Sequence, residues 1–198
     1  MKARITFYGF LLAMFMLSGL SYLHAGEPTE QLRAALDEGV EVLNRARGDG
    51  RKRKAEIVSR LREIVYPLFD FREMAKRSLG SHWRRLDSKR QEEFVSAFTE
   101  LLENTYADKI DLYEGQKVLY TGESIDRNYA EVDTKVVGKK GESFSVNYKL
   151  HRADGRWRIY DVVVENISLV NNYRSQFQRV IANSSLEQLI ERIKAKAS

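Results

Sequence analysis

Trp157-Arg-Ile-Tyr-Asp-Val-Val-Val-Glu-Asn-Ile-Ser-Leu-Val-Asn-Asn-Tyr-Arg-Ser-Gln-Phe177 changes character in mid-course. From Trp157 to Val164 it is dense in aromatic and β-branched residues, the composition of a strand. Beyond Ser168 the apolar residues Leu169, Tyr173 and Phe177 stand at helical spacing. The stretch reads as a strand that runs straight into a helix starting near Ser168. Upstream, Asp154-Gly155 is a strong hairpin signal. Before that turn Phe144, Val146, Tyr148 and Leu150 alternate strictly with Ser143, Ser145, Asn147 and Lys149. Gly138-Lys-Lys-Gly141 is another turn. Ahead of it, Tyr129 to Val137 sets Ala130, Val132 and Val136 against Glu131, Asp133 and Lys135. Lys117 to Ser124 is the first strand. Four strands joined by short turns form an antiparallel meander with one face wet and one covered.

The rest of the chain has helical period. Pro28 opens a helix whose Leu32, Leu36, Val40 and Leu43 form one stripe, ended by Gly48-Asp-Gly50. A second helix carries Ile57, Leu61, Ile64 and Val65 and stops before Pro67. The basic run Arg51-Lys-Arg-Lys54 at its start is the wrong sign for a helix N-terminus and reads as a solvated corner. Asp70 and Glu73 frame a short helix to Leu79, closed by Gly80. Ser88 and Gln91 open the longest helix, with Phe94, Phe98, Leu101, Leu102 and Ile110 on one side. Two helices end the chain, from Ser168 to about Ala182 and from Leu186 to about Ala195, the last capped by Ser184 with Glu187. The fold class is α+β: a curved four-stranded antiparallel sheet covered on one face by helices.

A two-residue loop at Asp154-Gly155 fixes a register. It sets Ala153 beside Arg156, Leu150 beside Ile159, Tyr148 beside Asp161 and Val146 beside Val163. Asp161 is then a carboxylate on an apolar face, and it needs a partner there. Tyr148 and Arg174 are the candidates. A slip of one residue exchanges the faces.

Composition narrows the function. The chain has 198 residues, 43% hydrophobic and 31% charged, which suits one soluble domain with a sizeable core. Lys2 and Arg4 precede an uncharged, mostly apolar run from Ile5 to Leu23; Ser18, Gly19 and Ser21 follow its greasiest part, and Ala25 suits the last residue before cleavage. That layout is a secretory signal peptide, residues 1–25, with cleavage near Ala25 and a single mature domain, 26–198. A retained membrane anchor is the alternative. The sequence has no Cys, which excludes disulfides, thiolate catalysis and Cys-based zinc sites. Without residues 1–25 the chain carries 31 basic and 28 acidic residues, too mild an excess to argue for nucleic acid. His82 and His151 lack the partners a metal site needs, and no nucleophile elbow or phosphate-cradling Gly-rich loop appears. By periodicity Phe69, Phe71, Met74, Leu79, Trp83, Phe94, Phe98, Leu102, Val146, Leu150, Ile159, Val163, Leu169, Tyr173 and Phe177 point inward. They form either a plain core or the wall of a cavity.

Two further stretches, Phe69-Asp-Phe-Arg-Glu-Met-Ala-Lys-Arg-Ser-Leu-Gly-Ser-His-Trp83 and Gln91-Glu-Glu-Phe-Val-Ser-Ala-Phe-Thr-Glu-Leu-Leu-Glu-Asn-Thr-Tyr106, join the opening one in resembling the MlaC, or toluene-tolerance, family. The likeness spans about residues 30 to 192. It implies an NTF2-like sheet-and-helix fold with added helices around a lipid pocket. It also implies a periplasmic phospholipid carrier with no enzymatic activity and no cofactor. The partners it implies are an inner-membrane ABC transporter with an MCE-domain ring and an outer-membrane lipoprotein complex, a system that maintains outer-membrane lipid asymmetry. Tyr148 and the inward residues from Phe71 to Phe177 would then line the pocket, with Asp161 and Arg174 orienting a headgroup or locking sheet to helix. The resemblance leads to an expected Gly-containing turn at 165–168, where this chain has Glu-Asn-Ile-Ser. The competing readings are an enzyme on the same scaffold, which would converge Asp161, His151 and Tyr148, and a periplasmic adaptor or chaperone.

Overall fold

The structure, a computed structural model, describes residues 26–48 and 54–197. The signal segment, the Gly50 end of the first helix and most of the basic corner lie outside those residues. The elements run α1 (Glu27–Gly48), α2 (Lys54–Val65), α3 (Phe71–Leu79), α4 (Ser88–Ala107), β1 (Lys117–Asp126), β2 (Tyr129–Val137), β3 (Ser143–Ala153), β4 (Arg156–Val164), β5 (Ile167–Ser168), α5 (Leu169–Asn183) and α6 (Leu186–Ala197). Short 3-10 turns at Tyr66–Leu68 and Gly80–Arg85 join the helices, and a third at Asp108–Leu112 leads from α4 toward β1 and takes Ile110, expected on the long helix. The sheet is an antiparallel meander in the order β1-β2-β3-β4-β5.

The fifth strand is an addition to the expected four. Glu165 and Asn166 both take positive φ, 47° and 65°, and make a two-residue hairpin that returns Ile167 and Ser168 against Val164 and Val163. No glycine is needed. The Glu165 carboxylate accepts the Ser145 N–H at 2.5 Å and the Ser145 hydroxyl at 2.9 Å. Those bonds hold its carboxyl below the usual range and tie the strained turn to β3.

The β3–β4 register follows the expected pairing from Ala153↔Arg156 to Leu150↔Ile159 and then slips by one. Tyr160 is the extra residue of a bulge, so Asp161 pairs with Lys149, Val162 with Tyr148 and Val164 with Val146. Its setting is the edge of β4. There Phe69 bridges to Ile159, and the Asp70 N–H donates to the Ile159 carbonyl at 2.9 Å. The slip corrects two assignments. Val163 lies opposite Asn147, on the other face from Tyr148, and Val162 and Val164 take the inward places. Asp161 bonds to neither Tyr148 nor Arg174, although Arg174 lines the same small surface pocket. It is 5% exposed and accepts the Ser168 hydroxyl at 2.6 Å and the Val170 N–H at 3.0 Å. Arg174 instead lies against Gly80, where a Cβ would come within 2.8 Å of its guanidinium.

Asp161 therefore bolts the start of α5 to β4. Asp161→Ala strands a hydroxyl and a backbone N–H. It should lower stability by about 2–3 kcal/mol, seen as a lower urea midpoint at unchanged slope. Asp161→Asn keeps an acceptor oxygen and should lose less.

Helix starts follow side-chain capping. The Asp70 carboxylate accepts the Glu73 N–H at 2.8 Å, as the spacing predicts. For α4 the cap is Asp87, one residue before the expected Ser88, and for α6 it is Ser185 in place of Ser184. The start of α1 is capped from a distance: the two Glu123 carboxylate oxygens accept the N–H groups of Gly26 at 2.9 Å and Thr29 at 2.8 Å. Gln31 exchanges hydrogen bonds with the Trp157 backbone, which lays α1 along the sheet.

Two apolar cores result. One is helical and includes Leu79, Trp83, Phe94, Phe98, Phe177 and Ile190. The other lies between α1 and the sheet, on Leu32, Leu68, Val132, Leu150, Trp157 and Ile159.

A candidate apolar binding cavity

The two cores do not meet over their whole length, and a hollow of about 330 Å³ lies between them. Pro67 starts its construction. It ends α2 and tightens Tyr66–Leu68 into a 3-10 turn, and the Phe69–Ile159 bridge then pins the connection to the sheet edge. Capped by Asp70, α3 starts at Phe71 and presents Phe71 and Met74 to the hollow. Leu36 of α1 and Val65 of α2 close one side. Thr99, Leu102, Glu103 and Tyr106 of α4 close another. Tyr148, Ile159, Val162 and Val164 form the sheet wall, with Leu169 at the start of α5. Tyr106 and Val164 are 48% and 40% exposed, so the mouth lies between them. Glu103 is the one charged residue in this wall.

Of the residues expected to line a pocket, Phe71, Met74, Leu102, Tyr148, Ile159 and Leu169 do so. Leu79, Trp83, Phe94 and Phe98 are packed inside the helical core, and Leu150 inside the sheet core. Phe177 belongs to that helical core and Tyr173 packs against it, and both border a separate, open groove beside α6. Val146 is buried beneath its β2 partner Thr134 and does not reach the wall, and Val163 faces away. Leu36, Val65, Tyr66, Leu68, Phe69, Thr99, Glu103, Tyr106, Val162 and Val164 also line the wall and were not assigned to it from the sequence. The stripes of α1 and α2 flag Leu36 and Val65 as apolar neighbours, but only the bulge reveals Val162 and Val164.

Burial raises the Tyr148 phenol from its ordinary value of 10 to about 12, a hydrogen bond with the Thr134 hydroxyl pulling the other way. The folded chain thus holds this proton to higher pH than the unfolded chain. Stability from this group is intact below about pH 10 and falls as pH rises above it. In an ultraviolet titration Tyr148 should ionise after the exposed tyrosines, and Tyr148→Phe should remove one phenol from that late class.

The trio that an enzyme would need does not converge. Tyr148 faces the cavity and Asp161 is spent on α5. His151 lies on the opposite face, 3.0 Å from the Asp70 carboxylate and edge-on to Tyr160. Among the described residues no group of His, Cys, Asp and Glu side chains could hold a metal ion, and no helix is long and apolar enough to cross a membrane.

Fold and hollow together define a class: an α+β protein whose helices stand off a curved antiparallel sheet to leave a greasy slot between them. The chain belongs to the MlaC protein family, whose model matches residues 33–195. It is similar to the intermembrane phospholipid transport system binding protein MlaC of Haemophilus influenzae, with 22% identity over 143 residues, 70% of this chain and 67% of that one. It is also similar to toluene tolerance protein ttg2D of Pseudomonas putida, 25% identical over 119 residues, 59% of this chain and 55% of the relative. A phospholipid-binding protein from Ralstonia solanacearum, solved in complex with a phospholipid, shares the fold at a TM-score of 0.75 and 22% identity, over 87% of this chain and 97% of that one.

Proposed function

We propose that this chain is a periplasmic phospholipid shuttle, the soluble component of an ABC-type lipid transport system that maintains outer-membrane lipid asymmetry. Signal peptidase frees it near Ala25. It takes lipid from one membrane and delivers it to the other by docking on an outer-membrane lipoprotein complex and on an inner-membrane ABC transporter with an MCE-domain ring. It is a carrier without enzymatic activity and without a cofactor.

The observation that carries this reading is the cavity wall, apolar throughout apart from Glu103 and a few hydroxyls. Each methylene brought out of water is worth about 0.8 kcal/mol, so two acyl chains of roughly 30 methylenes in all would cost about 25 kcal/mol to carry naked. A dry slot removes most of that barrier. A methylene fills about as much space as a water in the liquid, roughly 30 Å³. The hollow as it stands therefore seats part of one chain, and a diacyl lipid needs more room than it offers. Family membership and the name of the Haemophilus influenzae relative support the same reading.

The test is native mass spectrometry of the protein purified from a bacterial periplasm. Co-purified phospholipid is expected at one molecule per chain. A protein that stays free of lipid, even after incubation with phospholipid vesicles, would overturn the proposal.

A further inference from the structure

Glu103, the charged residue of the cavity wall among the described residues, is paired with a cation just outside that wall. The Arg62 guanidinium in the last turn of α2 pairs with Glu103 on α4, and it also lies over the Tyr66 ring at 5.6 Å. The Tyr66 hydroxyl donates to the other Glu103 oxygen at 2.5 Å. The Glu103 side chain is 15% exposed and the Arg62 side chain 51% exposed. A guanidinium has five N–H donors and a carboxylate about four acceptor positions. Among the described residues Arg62 also hydrogen-bonds the Tyr66 hydroxyl, which leaves part of its five-donor fork free, and Glu103 accepts one bond on each oxygen. Glu100, one turn away and close enough to raise the Tyr66 phenol, adds a second carboxylate to this rim. Tyr106 follows Glu103 by one turn of α4 at the exposed end of the wall. A lipid with its chains in the slot would therefore leave its headgroup beside Glu103 and Arg62.

We propose that this mouth selects headgroups that carry a primary ammonium next to the phosphate, the phosphoethanolamine type, with Glu103 accepting the ammonium and Arg62 donating to the phosphate. The inference rests on the phospholipid-carrier reading above. A wholly anionic headgroup would gain the Arg62 contact but face two carboxylates. A quaternary ammonium offers no N–H to Glu103. The primary ammonium satisfies both sites at once, with charge-assisted bonds. The site is half open to water, so the preference is modest, about two- to fivefold, as for exposed ion pairs.

The mature protein should be incubated with excess vesicles holding equal parts of phosphatidylethanolamine, phosphatidylglycerol and phosphatidylcholine, and the bound lipids read by native mass spectrometry. The wild type is expected to enrich phosphatidylethanolamine over both others by that factor, less so at high salt. Glu103→Gln should abolish the enrichment over phosphatidylglycerol, and Glu103→Asp should restore part of it. Arg62→Gln should lower all three lipids together while leaving their ratio nearer the wild type. Bound lipid that mirrors the vesicles, or a Glu103→Gln protein that keeps the enrichment, overturns the selection and leaves the carrier reading standing. No bound lipid from any vesicle overturns both. If a variant fails to fold by far-ultraviolet circular dichroism, the wild-type composition alone decides.

Discussion

Val162→Trp is expected to purify without phospholipid, while Val163→Trp keeps it. The two residues are neighbours in sequence and equal in chemistry, and they differ in which face of β4 they occupy. Val162 pairs with Tyr148 and forms part of the cavity wall; Val163 pairs with Asn147 on the far side. An indole at position 162 projects into the hollow of about 330 Å³ and takes the room of several methylenes. At about 0.8 kcal/mol for each methylene shut out, occupancy should fall more than about tenfold. The fold should survive, because the new side chain has the hollow to enter and the strain on its sheet-core neighbours is limited. The check is native mass spectrometry of both variants beside far-ultraviolet circular dichroism. Lipid retained by Val162→Trp, or lost only from Val163→Trp, would mean that the chains sit elsewhere than between the sheet and α4.

That pair of variants also marks where the sequence stops being readable. Most strands and helices emerge within a residue or two of their places, α4 ending short of Ile110 and β5 being the exceptions, because alternation in Phe144 to Leu150 and four-residue spacing in Leu169 to Phe177 are local properties. The register near the turn is equally local: Asp154 and Gly155, at φ 51° and 75°, form the expected hairpin and carry the pairing to Ile159. The slip at Tyr160 is not local. It accompanies a contact from Phe69, ninety residues earlier in the chain, at the edge of β4. Asp161 shows the same limit. Its need for a partner follows from its apolar neighbours, but the partners, Ser168 and Val170, depend on a turn built from two non-glycine residues at positive φ. Core and cavity are harder still. Phe71 and Phe98 both lie on inward stripes, and nothing in either stripe says whether a side chain or a hollow stands opposite. The family resemblance supplies the kind of pocket to expect, and only the three-dimensional arrangement divides wall from core.

Phe98→Ala should have the largest effect on stability. The ring is 0% exposed and touches three others: Phe94 at 5.9 Å, Tyr173 at 5.1 Å and Phe177 at 5.6 Å between centroids. Two of those contacts are edge-to-face, the favoured geometry. Removing the ring leaves a void that α4, α5 and α6 cannot all close on at once, so the cost should reach about 3–5 kcal/mol. For a domain of this size that lowers the melting temperature by about 6–20 °C. Phe71→Ala is the control. Phe71 stacks on Phe69 at 5.5 Å and meets Tyr66 at 5.0 Å, but its other side already faces the hollow. It has fewer packed atoms to lose and should cost less, while weakening lipid retention more. Phe98→Ala should show the reverse, a large loss of stability with lipid still bound at low temperature, because Leu102 and Tyr106 keep their places one and two turns further along α4. Calorimetry and native mass spectrometry on the two variants separate the roles. Equal losses of stability would mean that Phe71 is as tightly enclosed as Phe98, and that the hollow is not a built feature of the fold.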